Sequence, residues 1–178
     1  MKYRYWTILW ILSYVKIIAQ NSSEYFQQQV NYKISVQLND VHHSLKGFEE
    51  IEYINNSPDT LRFIYFHLWP NAYKNHSTCL AQQFLKLGER DFYFSKSEER
   101  GYIDSLDFKV NNVRCKWKTL KDTIDIAIIY LNEPLLPHQS IKITTPFYVK
   151  IPSAKFSRLG HLGNAYYITQ WYRGWLQY

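Results

Sequence analysis

The sequence predicts an all-β fold: an antiparallel sandwich or curved sheet of roughly seven or eight short strands, with one helical excursion. Three observations predict it. Val30, Tyr32, Ile34, Val36 and Leu38 alternate without a break with Asn31, Lys33, Ser35 and Gln37, the period of a half-buried strand. The same alternation returns in Leu106, Phe108 and Val110, in Val113, Cys115 and Trp117, and in Ile141, Ile143, Thr145, Phe147, Val149 and Ile151. Only between Ser77 and Gly101 does the period become helical, with Leu80, Phe84 and Leu87 on one face.

The elements follow in order. Lys2 and Arg4 precede an apolar run from Tyr5 to Val15, and Ala19 follows it; residues 1–20 read as a secretory signal peptide, cleaved after Ala19 or Gln20, with an uncleaved amphipathic anchor as the alternative. Lys16 keeps the run too short for a comfortable membrane span, and no cysteine stands near the cleavage point for lipid attachment. The expected location is secreted, periplasmic or cell-envelope, with no membrane contact beyond the signal. Residues 21–178 are left as one β domain.

Strand one covers Val30 to Leu38. Lys46-Gly47 punctuates the connection to a second strand over 48–54, which ends in the turn Asn55-Asn56-Ser57-Pro58-Asp59. Residues 61–69 are apolar on both faces and predict a central strand, stopped by Pro70-Asn71. A helix closes at Gly88, and Ser95-Lys96-Ser97-Glu98 suggests a second short one through its capping-box pattern. Asn111-Asn112 makes a two-residue hairpin turn. Residues 124–131 form the next strand, ended by Pro134 and Pro137, and a long strand runs over 141–151.

Composition narrows the function classes. The chain is 46% apolar and 18% aromatic, with 16 Tyr and 6 Trp, which argues against disorder and suits half-buried sheet faces or binding surfaces. Removing Lys2, Arg4 and Lys16 with the signal lowers the net charge from +6 to +3, so the basicity is largely the signal's. Arg114, Lys116, Lys118 and Lys121 alternate with Cys115 and Trp117 as one solvated strand face would, and no nucleic-acid footprint is expected. Cys79 and Cys115 could pair in an oxidising compartment or remain free thiols. Asn21, Asn55 and Asn75 begin N-x-S sequons, relevant only in a glycosylating host.

Catalytic equipment is sparse. The sequence holds no His-Glu-x-x-His, no Gly-x-Ser-x-Gly, no phosphate loop and no cysteine-rich zinc pattern. Glu49-Glu50 and Glu98-Glu99 are neighbours that do not converge on one atom, and solvated faces are expected for them. His67 reads as a core histidine, and His42-His43 point to opposite faces. The stretch best suited to a ligand is 160–172, where Gly160 and Gly163 permit close approach, 166–168 reads as a strand, and Gln170 sets an amide beside Trp171 and Tyr172. The same stretch also reads as a final sheet strand with its aromatics in the core.

Four stretches carry a resemblance. Asn55-Asn56-Ser57-Pro58-Asp59-Thr60-Leu61, Tyr65-Phe66-His67-Leu68-Trp69-Pro70-Asn71-Ala72-Tyr73, Gly101-Tyr102-Ile103-Asp104 and Ile168-Thr169-Gln170-Trp171-Tyr172 together resemble the N-terminal domain of secreted bacterial zinc metallopeptidases of the aminopeptidase N family. The resemblance runs from about Tyr25 to Tyr172 with the motifs in the same order. It implies a saddle-shaped, mostly antiparallel domain placed before a thermolysin-like catalytic domain that holds the zinc ligands and catalytic glutamate. This chain would then need no cofactor of its own; zinc belongs to full-length relatives, and the partners are a peptide substrate and the missing catalytic domain.

The resemblance also implies site residues. Gln170 matches a glutamine that lines the substrate pocket. Tyr172 stands where the family often has Glu or Gln to hold the peptide's free amine, and a phenol is a poorer partner for an ammonium than a carboxylate. Similar relatives continue Trp-Tyr-Pro-Lys, whereas Arg173-Gly174-Trp175 follows here, which reads as a truncated product, a frameshift or a gene fragment. No catalytic or metal-binding residue is expected in the chain itself. Two other readings stand beside this one: a secreted β-sandwich module that binds glycan or protein through its aromatics, and an inactive envelope domain packed on a partner.

Overall fold

The computed structural model describes residues 26–156, 158–169 and 171; the expected signal peptide lies outside them. Among the described residues the chain is mostly antiparallel β-sheet with one short helix, as the alternation predicts. β1 (Gln29–Asn39) and β2 (Ser44–Ile54) form a long hairpin, and β2 pairs along its whole length with β9 (Ser140–Lys150). β4 (Tyr102–Asp104) and β5 (Lys109–Val110) both pair with β9, and β5 also pairs with β6 (Val113–Arg114). The smaller sheet has the order β3 (Leu61–His67), β8 (Ile126–Leu135), β7 (Trp117–Thr119). β10 (Leu159–Leu162) and β11 (Ala165–Ile168) make a separate hairpin.

The core lies between the two larger sheets. Leu45, Ile51, Tyr53, Ile143, Phe147 and Val149 of the large sheet join Ile64, Phe66, Ala127 and Ile129 of the small one in a single buried cluster. Phe108 binds them together, with its ring 5.2 Å from Phe66 and 5.3 Å from Trp117. The Asn111-Asn112 turn forms as expected: both residues have positive φ, the geometry of a tight two-residue hairpin, and asparagine tolerates it. The alternation that continues into Cys115 and Trp117 does not stay in one hairpin, because the chain crosses at Lys116 from the large sheet to the small one.

Several expectations need correcting. Gly47 is not in a connection but inside β2, opposite Val36, so the strand begins at Ser44. The apolar strand at 61–67 is an edge strand; β8 is the central one. Its second apolar row is only half-buried, with Phe63 and Tyr65 meeting edge to face at 5.5 Å. Pro134 does not end β8, because the ladder is interrupted between Leu61 and Phe63 and the proline falls opposite that irregularity, where no hydrogen bond is demanded of it. Pro146 lies within β9 for a related reason. Lys142 exchanges hydrogen bonds with Asn111 on the β5 side, so alternation turns position 146 the same way, into the gap between β4 and β5.

The helical excursion is α1 (Cys79–Lys86), capped by Thr78, whose hydroxyl accepts from Ala81 N at 3.2 Å, and followed by Gly88 at φ 82°. Leu87 is exposed, so the helix buries Leu80, Ala81 and Phe84 instead. The second helix is a single 3-10 turn, Ser97–Glu99, in which Glu99 reaches back to Lys96 N one position later than the capping-box pattern placed it. Cys79 is exposed and Cys115 buried, and they are free thiols; burial pushes the Cys115 thiol pKa up and keeps it inert. Asn55 is fully buried, so its sequon is closed to modification in the folded chain. No helix among the described residues is long and apolar enough to cross a membrane.

Candidate functional site

After β9 the chain turns at Pro152 and Ser153 and enters the β10–β11 hairpin, in which Gly160 pairs with Tyr167 and His161 with Tyr166. The two glycines do different jobs. A Cβ on Gly160 would lie 2.5 Å from Ala154 Cα, so only glycine lets β10 lie against the preceding turn. Gly163 has open space around it but a φ of 54°, which the tight turn to β11 requires. The Ser153–His161 bridge, with Ala154 N donating to His161 O and His161 N to Pro152 O, fixes the base of the hairpin.

Strand alternation then sorts the side chains. Tyr166 and Ile168 turn toward the main core, while Tyr167 and Thr169 face solvent. Trp171 packs against both core clusters, its ring 6.0 Å from Phe147. The predicted site residues Gln170 and Tyr172 lie outside the described residues. On the outward side of the hairpin, Leu162, Tyr167, Phe156, Lys155 and Arg158 line a shallow cleft of about 540 Å³.

A cluster that the sequence does not announce lies beside this hairpin. His43, in the β1–β2 turn, stacks on His161 with ring centroids 3.6 Å apart and planes 13° apart. His43 Nδ1 lies 2.7 Å from Tyr166 Oη, which donates to Asp40 O at 3.1 Å. Lys150 Nζ donates to His42 O nearby, and burial holds the Lys150 pKa below its ordinary value. Burial foremost, then His43 and Lys150, hold the His161 pKa below its usual range, and burial followed by Asp40 pushes the Tyr166 phenol up. His43 is separated from Tyr166 by 123 positions, so no local spacing signals the cluster.

The acidic pairs separate as strand geometry requires, but not both into solvent. Glu50 faces outward and bonds Lys142 at 2.6 Å, which lowers its pKa. Glu49, expected on a solvated face, is instead 2% exposed on the inner face opposite the buried Thr145. Glu99 pairs with Lys155 at 2.8 Å, and Glu98 accepts from Ser97 Oγ. Arg114, Lys116 and Lys118 are exposed, as a solvated strand face predicts. His67 sits in the fold as a ring stacked on Trp69, with centroids 5.0 Å apart.

The donor set does not fit a zinc ion. Among the described residues no three His, Cys, Asp or Glu side chains gather to hold a metal. The stacked imidazoles of His43 and His161 carry parallel in-plane lone pairs, which do not converge on one point. No protein-family model matches this chain, and no curated protein matches it.

Proposed function

We propose that this chain is the substrate-flanking β domain of a zinc metallopeptidase of the aminopeptidase N type, and that it has no hydrolytic activity alone. The observation that supports it best is the β10–β11 hairpin, which runs directly into Thr169 and Gln170 and is followed by Trp171 packed on Phe147. A residue that must meet a bound peptide without moving is best carried next to packed neighbours, and Gln170 adjoins Trp171 in sequence. In this reading the Gln170 side chain hydrogen-bonds peptide, the Tyr172 phenol stands near its amino end, and bond cleavage belongs to residues of another domain.

The other resembling stretches act as joints, which agrees with a shared architecture. Asn71 Oδ1 accepts from Ile103 N at 3.1 Å while its Nδ2 donates to Ile124 O, tying the second motif to the third. Gly101 N donates to Tyr73 O, and a Cβ on Gly101 would meet Lys150 O at 2.7 Å. The alternative of an aromatic binding module is weakened by placement: Trp69, Trp117 and Trp171 are all half-buried against other rings.

The purified chain, supplied with zinc and aminoacyl chromogenic substrates, is expected to show no turnover above background. Zinc-dependent hydrolysis by the chain alone, abolished by chelator, would contradict the proposal.

A further inference from the structure

We infer that the His161–Tyr166 end of the β10–β11 hairpin is a pH-released latch, docked on the β1–β2 turn at neutral pH and let go in mildly acidic solution. The inference rests on the histidine stack and stands whether or not the chain is a peptidase domain. Two neutral imidazoles 3.6 Å apart and nearly parallel are a favourable contact. Placing a proton on His161 makes it a half-buried cation lying flat on its neighbour.

The surroundings give that cation little help. His43 faces it from the turn, Lys150 from the end of β9 and Tyr166 from β11; of these, one is already cationic and none is an anion. Asp40 bears on Tyr166, not on His161. The Gly163 backbone is the single compensating contact, and His161 Nδ1 is buried with no hydrogen-bond partner. The Tyr166 hydroxyl is taken up by His43 Nδ1 and Asp40 O. A protonated Nδ1 on His161 would be a buried donor without an acceptor, which costs the docked state its advantage.

The sign follows from linkage. His161 has its ordinary pKa of 6.5 once the hairpin is released, and a lower one while docked. The released form binds more protons, so docking is at full strength above about pH 6.5 and weakens as pH falls through the docked value. The turn is also constrained, because His43 has a φ of 48°, a left-handed conformation rare for a non-glycine residue. The movable part is the hairpin end; Leu159, buried at 2% exposure, keeps its base in the second core cluster.

The test is hydrogen exchange by NMR on the uniformly nitrogen-labelled full chain, at pH 7.5 and 5.0 and corrected for intrinsic exchange. Protection of amides 161–168 is expected to be measurably lower at pH 5.0 than at pH 7.5, while β2 and β9 amides keep theirs. His161→Phe retains a stacking ring that cannot take a proton, and its hairpin protection should not change with pH. Equal hairpin protection at both pH values in the wild-type chain would overturn the inference. So would a uniform loss across all strands, or the same acid loss in His161→Phe.

Discussion

Asn55→Ala is expected to lower the unfolding free energy by about 4 kcal/mol. The Asn55 side chain is fully buried and makes five hydrogen bonds. Its Nδ2 donates to Asp59 O at 2.8 Å and Leu135 O at 3.2 Å, and its Oδ1 accepts from Ser57 N, Ser57 Oγ and Gln28 Nε2. The backbone adds two more ties, to Gln139 O and from His138 N. One residue thus holds together the entry to β1, the turn after β2, the end of β8 and the turn before β9.

Alanine removes the amide and takes from the buried Leu135 carbonyl and Ser57 N–H the partner they have in it, while the Ser57 hydroxyl keeps Asp59 O at 3.2 Å. Each unsatisfied buried group costs about 1–3 kcal/mol, and partial relaxation of the turn keeps the total below their sum. Asn56→Ala is the control. That neighbour is half-buried and makes a single side-chain bond, from Nδ2 to Gln27 O, so a loss near 1 kcal/mol or less is expected. Urea unfolding of the two variants measures the difference; equal losses would show that the Asn55 network does not hold the turn.

Gly47→Ala is expected to cost about 3 kcal/mol, at the upper end of what overpacking does. A Cβ there would lie 2.3 Å from Ser35 O and 2.5 Å from Phe147 Cζ. The ring can yield, but the Ser35 carbonyl belongs to the β1–β2 ladder and cannot move without breaking it. Adding Phe147→Leu to Gly47→Ala should therefore recover only part of the loss relative to Phe147→Leu alone, a coupling that a double-mutant cycle reads directly. Full recovery would mean that the ring, and not the strand spacing, requires glycine.

These two residues also mark the limits of sequence reading. The alternation in β1 and β9 and the Asn111-Asn112 turn were legible because period and turn chemistry are local properties. Gly47 reads as punctuation because its use depends on how closely β2 lies to β1, where Ser35 O would be 2.3 Å from a Cβ. Pro146 lies unremarked in a long strand because its tolerance depends on where β4 and β5 stop. Glu49 looks like the polar member of an amphipathic strand, and only the pairing of β2 with β9 reveals that it faces inward. The edge position of β3 was hidden for the same reason: apolar content reports burial by anything, not pairing on both sides.

The site was legible unevenly. The hairpin strand at 166–168 follows from residue type and spacing, whereas the division of labour between Gly160, which makes room for Ala154, and Gly163, which supplies a positive φ, does not. The stack of His43 on His161 does not, because it joins a turn at one end of the domain to a hairpin at the other. A positive-φ histidine in a tight turn has no sequence signature.

The central claim is that the 160–172 segment flanks a peptide cleft completed by another domain. A chimaera tests it most directly: residues 21–172 of this chain replace the N-terminal domain of a secreted bacterial zinc aminopeptidase, ahead of its catalytic domain. The expected result is zinc-dependent aminoacyl hydrolysis above that of the catalytic domain alone, with kcat/KM reduced about tenfold by Gln170→Ala, as loss of one substrate hydrogen bond gives. A folded, zinc-loaded chimaera no more active than the isolated catalytic domain, or indifferent to Gln170→Ala, would contradict it.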